Sequence, residues 1–229
     1  MGERIFGNRA GTAHRLIHRI GHRLGHSHHR GKSRGGHESW NGDRYDRVAA
    51  RLLRPLYREV SSEVAVAAPS GATVLDVGAG TGRLLLLLTR RRSDLELFGV
   101  DISPEMVRVA ARNVQYSDIV IEQGDIERLP YADDSVDFVI STLSMHHWES
   151  VRTAVAELAR VLRPGGDLWI YDFRFVSGRR LKDAVAEQSR FTGRAVERVP
   201  VRIWRLPITP IVRFSLTAAR PADLGSNVE

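Results

Sequence analysis

Residues Val74 to Leu84 read VLDVGAGTGRL, a short apolar run that ends in an acid and then in alternating glycines. A parallel strand that stops in such a turn and restarts as a helix builds a nucleotide-cofactor site, because the helix points its free amides back at the turn. Gly78 and Gly80 can take backbone angles denied to residues with a Cβ, and they let a ligand approach the main chain closely. The spacing is Gly-x-Gly-x-Gly, whereas a dinucleotide fingerprint would place its third glycine at position 83, where this chain has Arg83. Pyrophosphate binding is therefore disfavoured. Taken alone, the turn would suit any doubly wound domain, so the flanking chain has to decide.

Outward from the turn, strand and helix patterns alternate. Thr73–Val77 is the first strand, entered through the turn Pro69, Ser70, Gly71. Arg83 to Arg92 reads as a helix whose five consecutive leucines should be largely buried. A second strand, Leu95 to Val100, ends at Asp101, and Ser103, Pro104 and Glu105 are the cap, first-turn proline and dipole-matched acid of a helix to about Asn113. Strands follow at Ile119 to Gln123 and Val136 to Ile140, the latter running into STLSMHHW (141–148). A helix from Val151 to Leu162 meets the turn Arg163 to Gly166, and a fifth strand runs from Asp167 to Phe173. This alternation predicts a parallel sheet with helices on both faces. A polar helix from Gly178 to Phe191 precedes two strand-like runs, Ala195 to Trp204 and Ile211 to Ala219, expected to finish the sheet as an antiparallel pair. Upstream, Tyr45 to Tyr57 has helical spacing that Pro55 should kink or divide.

Composition sets limits on the whole. A chain of 229 residues, 42% hydrophobic, can bury one sizeable core. No apolar run approaches the roughly eighteen residues of a membrane span, and the expected location is the cytoplasm. There are no cysteines, which removes disulfides, thiolate zinc sites, iron–sulfur clusters and cysteine nucleophiles. The net charge of +7 is carried by residues 1–37, where eight Lys or Arg oppose only Glu3. That segment holds seven of the nine histidines, with His14, His18, His22 and His26 at successive helical turns. It reads as a basic tail, expected to be disordered in solution, followed by a domain over residues 38–221 and a fraying C-terminal tail at 222–229. The tail is the one part suited to weak contact with an anionic membrane or nucleic acid, or to a histidine ladder for metal. No obligate protein partner is evident.

The segments VLDVGAGTGRL, GVDISPEMV, GDIERLPYADDSVDFVIS and RVLRPGGDLWIYDF, in this order, resemble the class I S-adenosylmethionine-dependent methyltransferases, and most closely the group related to ubiquinone and menaquinone methyltransferases. The resemblance covers about Trp40 to Phe173 and extends loosely to the last strands. It implies an α/β fold, a doubly wound, mostly parallel seven-stranded sheet with an antiparallel pair at the C-terminal end, the Rossmann-like methyltransferase fold. The implied cofactor is S-adenosyl-L-methionine.

A carboxylate at a strand end can accept from both hydroxyls of a ribose, so Asp101 is the natural ribose anchor, with Ile102 beside the adenine. The resemblance implies that Asp125 accepts from the adenine amino group and that Ile126 adds backbone and apolar contact. Gly78, Ala79 and Gly80 would face the methionyl part with Asp76 nearby, and Ser141 and Thr142 complete the cofactor set. Each of these acids also has a plain reading as a helix cap or solvated turn residue. Methyl transfer needs alignment and exclusion of water, and neither a metal nor a protein nucleophile. A base is needed only if the acceptor arrives protonated, and His146 and His147 sit after strand four, where acceptors bind in this fold. They would equally serve to order that loop. Trp40, Tyr45, Trp148 and Trp204 are candidates to line an acceptor pocket.

The missing cysteine excludes covalent methylation at cytosine carbon five. Ser141, Thr142, Leu143 and Ser144 replace the Asp/Asn-Pro-Pro-aromatic signature of adenine-amino methyltransferases. The expectation is methyl transfer to a small, apolar or aromatic molecule. RNA or protein methylation docked by the basic tail, and a non-catalytic S-adenosylmethionine-binding regulator, remain as alternatives.

Overall fold

The apolar run before the glycine turn forms β1 (Thr73–Val77), and all five of its residues are buried, as the centre of a parallel sheet requires. The computed structural model describes Asp46 and residues 51–176, 178–202 and 210–224. Beside β1 lie β2 (Glu96–Asp101), β3 (Val120–Gln123), β4 (Val136–Thr142) and β5 (Leu162–Phe173), and two further strands are β6 (Glu197–Val201) and β7 (Ile211–Thr217). The seven form one sheet of order β3-β2-β1-β4-β5-β7-β6. The first five are parallel, β7 runs antiparallel to β5, and β6 antiparallel to β7. The seven-stranded, doubly wound expectation therefore holds, with the last strand in sequence lying inside its partner.

Alternation along each strand feeds two cores. Leu75, Val139, Leu168 and Ile170 face one side with Val155 and Leu158 of α4 (Val151–Val161) and Leu181 of α5 (Gly178–Ala186). Val74, Ile140 and Tyr171 face the other with Leu56 and Val60 of α1 (Arg54–Ala67), Leu84 of α2 (Arg83–Thr89) and Val114 of α3 (Pro104–Val114). Strand order reverses between β1 and β4, and the crevice at the carboxyl ends of these strands is where such sheets bind ligands.

Several boundaries differ from the sequence reading for local reasons. The helix after the glycine turn ends at Thr89 rather than Arg92, because Arg92 turns its guanidinium onto Ala65 O, Ala68 O and Pro69 O at 2.7, 3.0 and 3.0 Å, satisfying the carbonyls at the end of α1. Leu84, Leu85 and Leu88 are buried there, while Leu86 and Leu87 are only partly covered. The chain is helical at Arg51 and Leu52, bends at Leu53, and restarts as α1 with Pro55 in its first turn, so the proline does divide the segment. The residues Arg163 to Gly166 are not a separate turn. They belong to β5, whose pairing with β4 shifts between Val136 and Phe138, and Gly165 N donates to Ala218 O at 3.0 Å. The helix from Gly178 stops at Ala186, and Ser189–Phe191 is a separate 3-10 turn. Instead of fraying at Pro221 the chain makes α6 (Pro221–Leu224), tied by the Arg194–Asp223 ion pair and by Arg220 N donating to Asp223 Oδ2 at 2.9 Å. Among the described residues no helix is long and apolar enough to cross a membrane. The basic tail, Trp40, Tyr45 and Trp204 lie outside the described residues.

Candidate active site

The glycine turn is held in place by the end of β2. Gly78 N and Ala79 N donate to Val100 O at 2.8 and 3.0 Å, and Gly80 N donates to Asp101 Oδ2 at 2.8 Å. Asp101 Oδ1 accepts from Ser103 N at 2.9 Å. Each Asp101 oxygen thus spends one lone pair on the backbone and keeps capacity for another donor. Burial raises the Asp101 carboxyl above its usual range, opposed by these two backbone bonds. Gly78, Gly80 and Gly82 have φ of 75°, 54° and 74°, the left-handed region that a β-carbon disfavours. Their surroundings differ in a telling way. A Cβ at Gly78 would come within 2.3 Å of Ser144 Oγ, and one at Gly82 within 2.6 Å of Ile121 Cδ1, whereas at Gly80 nothing among the described residues lies within 4 Å. Gly78 is small for the fold, and Gly80 opens onto space outside it.

Asp76 is 2% exposed, and its Oδ1 has no partner among the described residues. Burial, and secondarily the charge of Asp101, push its carboxyl up to about 8. Two neighbouring carboxylates under low dielectric favour a cation between or beside them. Ser141 Oγ and Thr142 Oγ1, at the end of β4, are likewise buried without partners among the described residues. Ile102 is 66% exposed directly after Asp101. Parallel register sets Asp101 opposite Gln123, and Gly124 N donates to Asp101 O at 3.0 Å, bringing Asp125 and Ile126 to the same end of the sheet. Asp125 is exposed, with Oδ1 accepting from Glu127 N at 2.9 Å in a local turn, while Ile126 packs partly into the core. Arg83, where a dinucleotide turn would carry glycine, instead donates to Asp46 at 2.9 and 2.5 Å, and Asn113 adds a third bond to Asp46 at 3.2 Å.

After β4 the backbone is strained. Leu143 has φ of 54°, a conformation costing a branched residue roughly 1–2 kcal/mol, and its N–H is held by Tyr171 O at 2.8 Å. The 3-10 turn Met145–His147 follows, with Met145 buried. Trp148 Nε1 donates to Ser144 Oγ at 3.1 Å, so the hydroxyl that faces Gly78 is itself fixed. His146 Nδ1 lies 2.8 Å from Asp172 Oδ1, and His146 N donates to Asp172 Oδ2 at 3.1 Å. Asp172 is fully buried at the end of β5, and Phe173 N donates to its Oδ1 at 2.7 Å. A carboxylate at Nδ1 makes that nitrogen the proton carrier and leaves Nε2, on the far edge of the ring, as the acceptor of the neutral imidazole. The His146 and His147 rings are 4.0 Å apart, and Phe173 lies 5.4 Å from His146. Asp172 was missed in the sequence reading; its signal was an acid placed among apolar residues in WIYDF.

A family model described as a methyltransferase domain matches residues 75–170, from within β1 to within β5. The malonyl-[acyl-carrier protein] O-methyltransferase of Methylococcus capsulatus is 37% identical over 125 residues, covering 54% of this chain and 45% of that protein. The demethylmenaquinone methyltransferase of Deinococcus radiodurans is 36% identical over 108 residues, covering 46% of this chain and 45% of that protein. The chain thus spans under half the length of either relative. Among solved structures, a SAM dependent methyltransferase from Aquifex aeolicus superposes with a TM-score of 0.63 at 20% identity, covering 79% of this chain and all of that one, which speaks to the fold.

S-adenosylmethionine is the cofactor of this family and fold. The residues fit it on the structure's own terms. Among the described residues, open space lies at Gly80, the spare acceptor capacity of Asp101 suits a diol, the exposed Ile102 suits a planar ring, and the buried Asp76, whose Oδ1 has no partner there, suits a ligand bearing positive charge. Sheet order and matched sequence agree: residues 75–170 match a methyltransferase domain, set in a sheet of the kind found in S-adenosylmethionine-dependent methyltransferases.

Proposed function

We propose that this chain moves a methyl group from S-adenosylmethionine to an oxygen, carbon or nitrogen atom of a small, apolar or aromatic molecule, with His146 as base and Asp172 as the residue that positions it. The observation carrying this reading is the 2.8 Å contact of His146 Nδ1 with the fully buried Asp172 at the carboxyl edge of the sheet. The cofactor, when bound, supplies a methyl group made electrophilic by its positive sulfonium. Asp101 accepts from the ribose hydroxyls, Ile102 packs on the adenine, Asp125 accepts from its amino group with Ile126 adjoining, and Gly78, Ala79 and Gly80 give the methionyl part a backbone cradle. Ser141 and Thr142 offer hydroxyls at the floor. These contacts align the acceptor's lone pair with the transferred group, which is where most of the rate comes from.

For an acceptor that arrives protonated, His146 Nε2 takes the proton, and Asp172 both sets the tautomer and stabilises the imidazolium that results. The His147 and Phe173 rings lie 4.0 and 5.4 Å from the His146 ring and supply aromatic surface beside it. A demethylmenaquinone methyltransferase among the relatives is compatible with such an acceptor. The test is to incubate the protein with isotopically labelled S-adenosylmethionine and size-fractionated lysate. Label should enter the low-molecular-weight fraction and fall sharply with His146→Ala. Label confined to RNA or protein, or no S-adenosylhomocysteine formed from any fraction, would refute the reading.

A further inference from the structure

Beyond Phe173 the aromatic surface continues. Phe175, 78% exposed, stacks on Phe173 with ring centroids 5.1 Å apart and planes 7° from parallel, so the rings run from His146 through Phe173 to Phe175 in steps of 5.4 and 5.1 Å. Phe175 is also one wall of a cleft of about 610 Å³ between the segment after β5, the first turns of α5 and strand β6. Four cations from these three elements converge there, Arg174, Arg179, Lys182 and Arg198, against one carboxylate, Asp183. Arg179 and Lys182 share a helix face by their spacing. Asp183 lies 4.0 Å from Arg179, both well exposed, which leaves the pair weak. Arg198 donates to Arg174 O at 3.0 Å and sits 5.9 Å from the Phe214 ring that floors the cleft. Gly178 permits this close approach of α5, since a Cβ there would fall 2.7 Å from Phe214 Cε1. Among the described residues the side chains of Arg174 and Lys182 have no carboxylate partner. A structural salt-bridge network would pair these charges; a convergent, unbalanced set in a concavity beside an exposed aromatic is what an anionic ligand uses.

We infer that this cleft binds an anionic group, phosphate or carboxylate, carried by the methyl acceptor, whose apolar or aromatic portion lies along Phe175 and Phe173 toward His146. The inference rests on the methyl-transfer reading for the acceptor, while the anion site itself can be tested without turnover. The probe is inorganic pyrophosphate, titrated by calorimetry into the full chain at low salt, in wild type and in the surface variants Lys182→Glu and Arg174→Glu combined. Wild type should bind with a dissociation constant below about 1 mM that rises with salt, and the double variant should bind at least tenfold more weakly, with S-adenosylhomocysteine affinity within twofold of wild type. Equal binding by both proteins, or none up to 10 mM, overturns the inference. In the labelling experiment, product retained on an anion exchanger supports it. Loss of that retention after phosphatase identifies a phosphate, and persistence identifies a carboxylate. Labelled product that is wholly neutral overturns the cleft assignment and leaves methyl transfer standing. Absence of any labelled product refutes methyl transfer, and the pyrophosphate titration then decides the cleft alone.

Discussion

Asp76→Asn should remove a proton that the wild-type protein gives up when the cofactor binds. The Asp76 carboxyl, buried and without a partner at Oδ1 among the described residues, is pushed up to about 8 by burial and by Asp101, so near pH 6.5 roughly 97% of free protein holds it neutral. A cofactor bearing a sulfonium and an ammonium favours the carboxylate, and binding at pH 6.5 should expel about one proton. Affinity should rise close to tenfold per pH unit below 8, or roughly 70-fold between pH 5.5 and 7.5. The same shift sets the sign for stability. In the free protein the folded state keeps a proton that the unfolded chain loses near 3.8, so this group's contribution is fully present below pH 4. It declines by about 1.4 kcal/mol per pH unit up to about 8, where it levels off. Asn, always neutral, removes both slopes. Calorimetry at pH 6.5 in two buffers of different ionisation enthalpy counts the released protons, and urea unfolding at pH 5 and 7 measures the second slope. Equal proton release by wild type and variant, or a dissociation constant flat from pH 5.5 to 7.5, would refute the reasoning.

Gly80→Val should abolish S-adenosylhomocysteine binding by calorimetry while lowering unfolding free energy by only about 1–2 kcal/mol, since its side chain enters open space and the cost is the φ of 54°. His146→Ala should reduce turnover by roughly a hundredfold or more with cofactor affinity nearly unchanged. Asp172→Asn should do the same through the tautomer, a loss His147→Ala should not match if His146 is the base; full turnover in the first two variants would leave the pair a structural role. The basic segment 1–37 should carry the protein onto anionic vesicles in a salt-sensitive way, so co-sedimentation should disappear on its deletion, and equal binding by both forms would refute that role.

Local signals in the chain are short, and they were legible. The Gly-x-Gly-x-Gly turn, the acid ending β2, the Ser103–Pro104–Glu105 helix start and the alternation of apolar runs each depend on a few neighbouring residues, and the structure carries them at or within a residue or so of their expected places. That was enough to specify a doubly wound sheet with a cofactor turn after its first strand; the strand order that puts the switch point beside that turn came from the structure. The differences between Gly78 and Gly80 were not legible, because both are glycines at positive φ and only packing says that one faces Ser144 and the other open space. Nor was the pairing of His146 with Asp172, 26 residues apart, since it forms only when β4 and β5 align and the strained Leu143 turns the loop onto the next strand. The cationic cleft is the same kind of product: Arg174, Lys182 and Arg198 belong to three elements whose individual patterns look like ordinary solvated faces. Sequence determined the elements and the cofactor turn through backbone preferences acting over a few residues. Tertiary structure alone decided which side chains share a site, because strand register and helix packing bring together groups that no local pattern links.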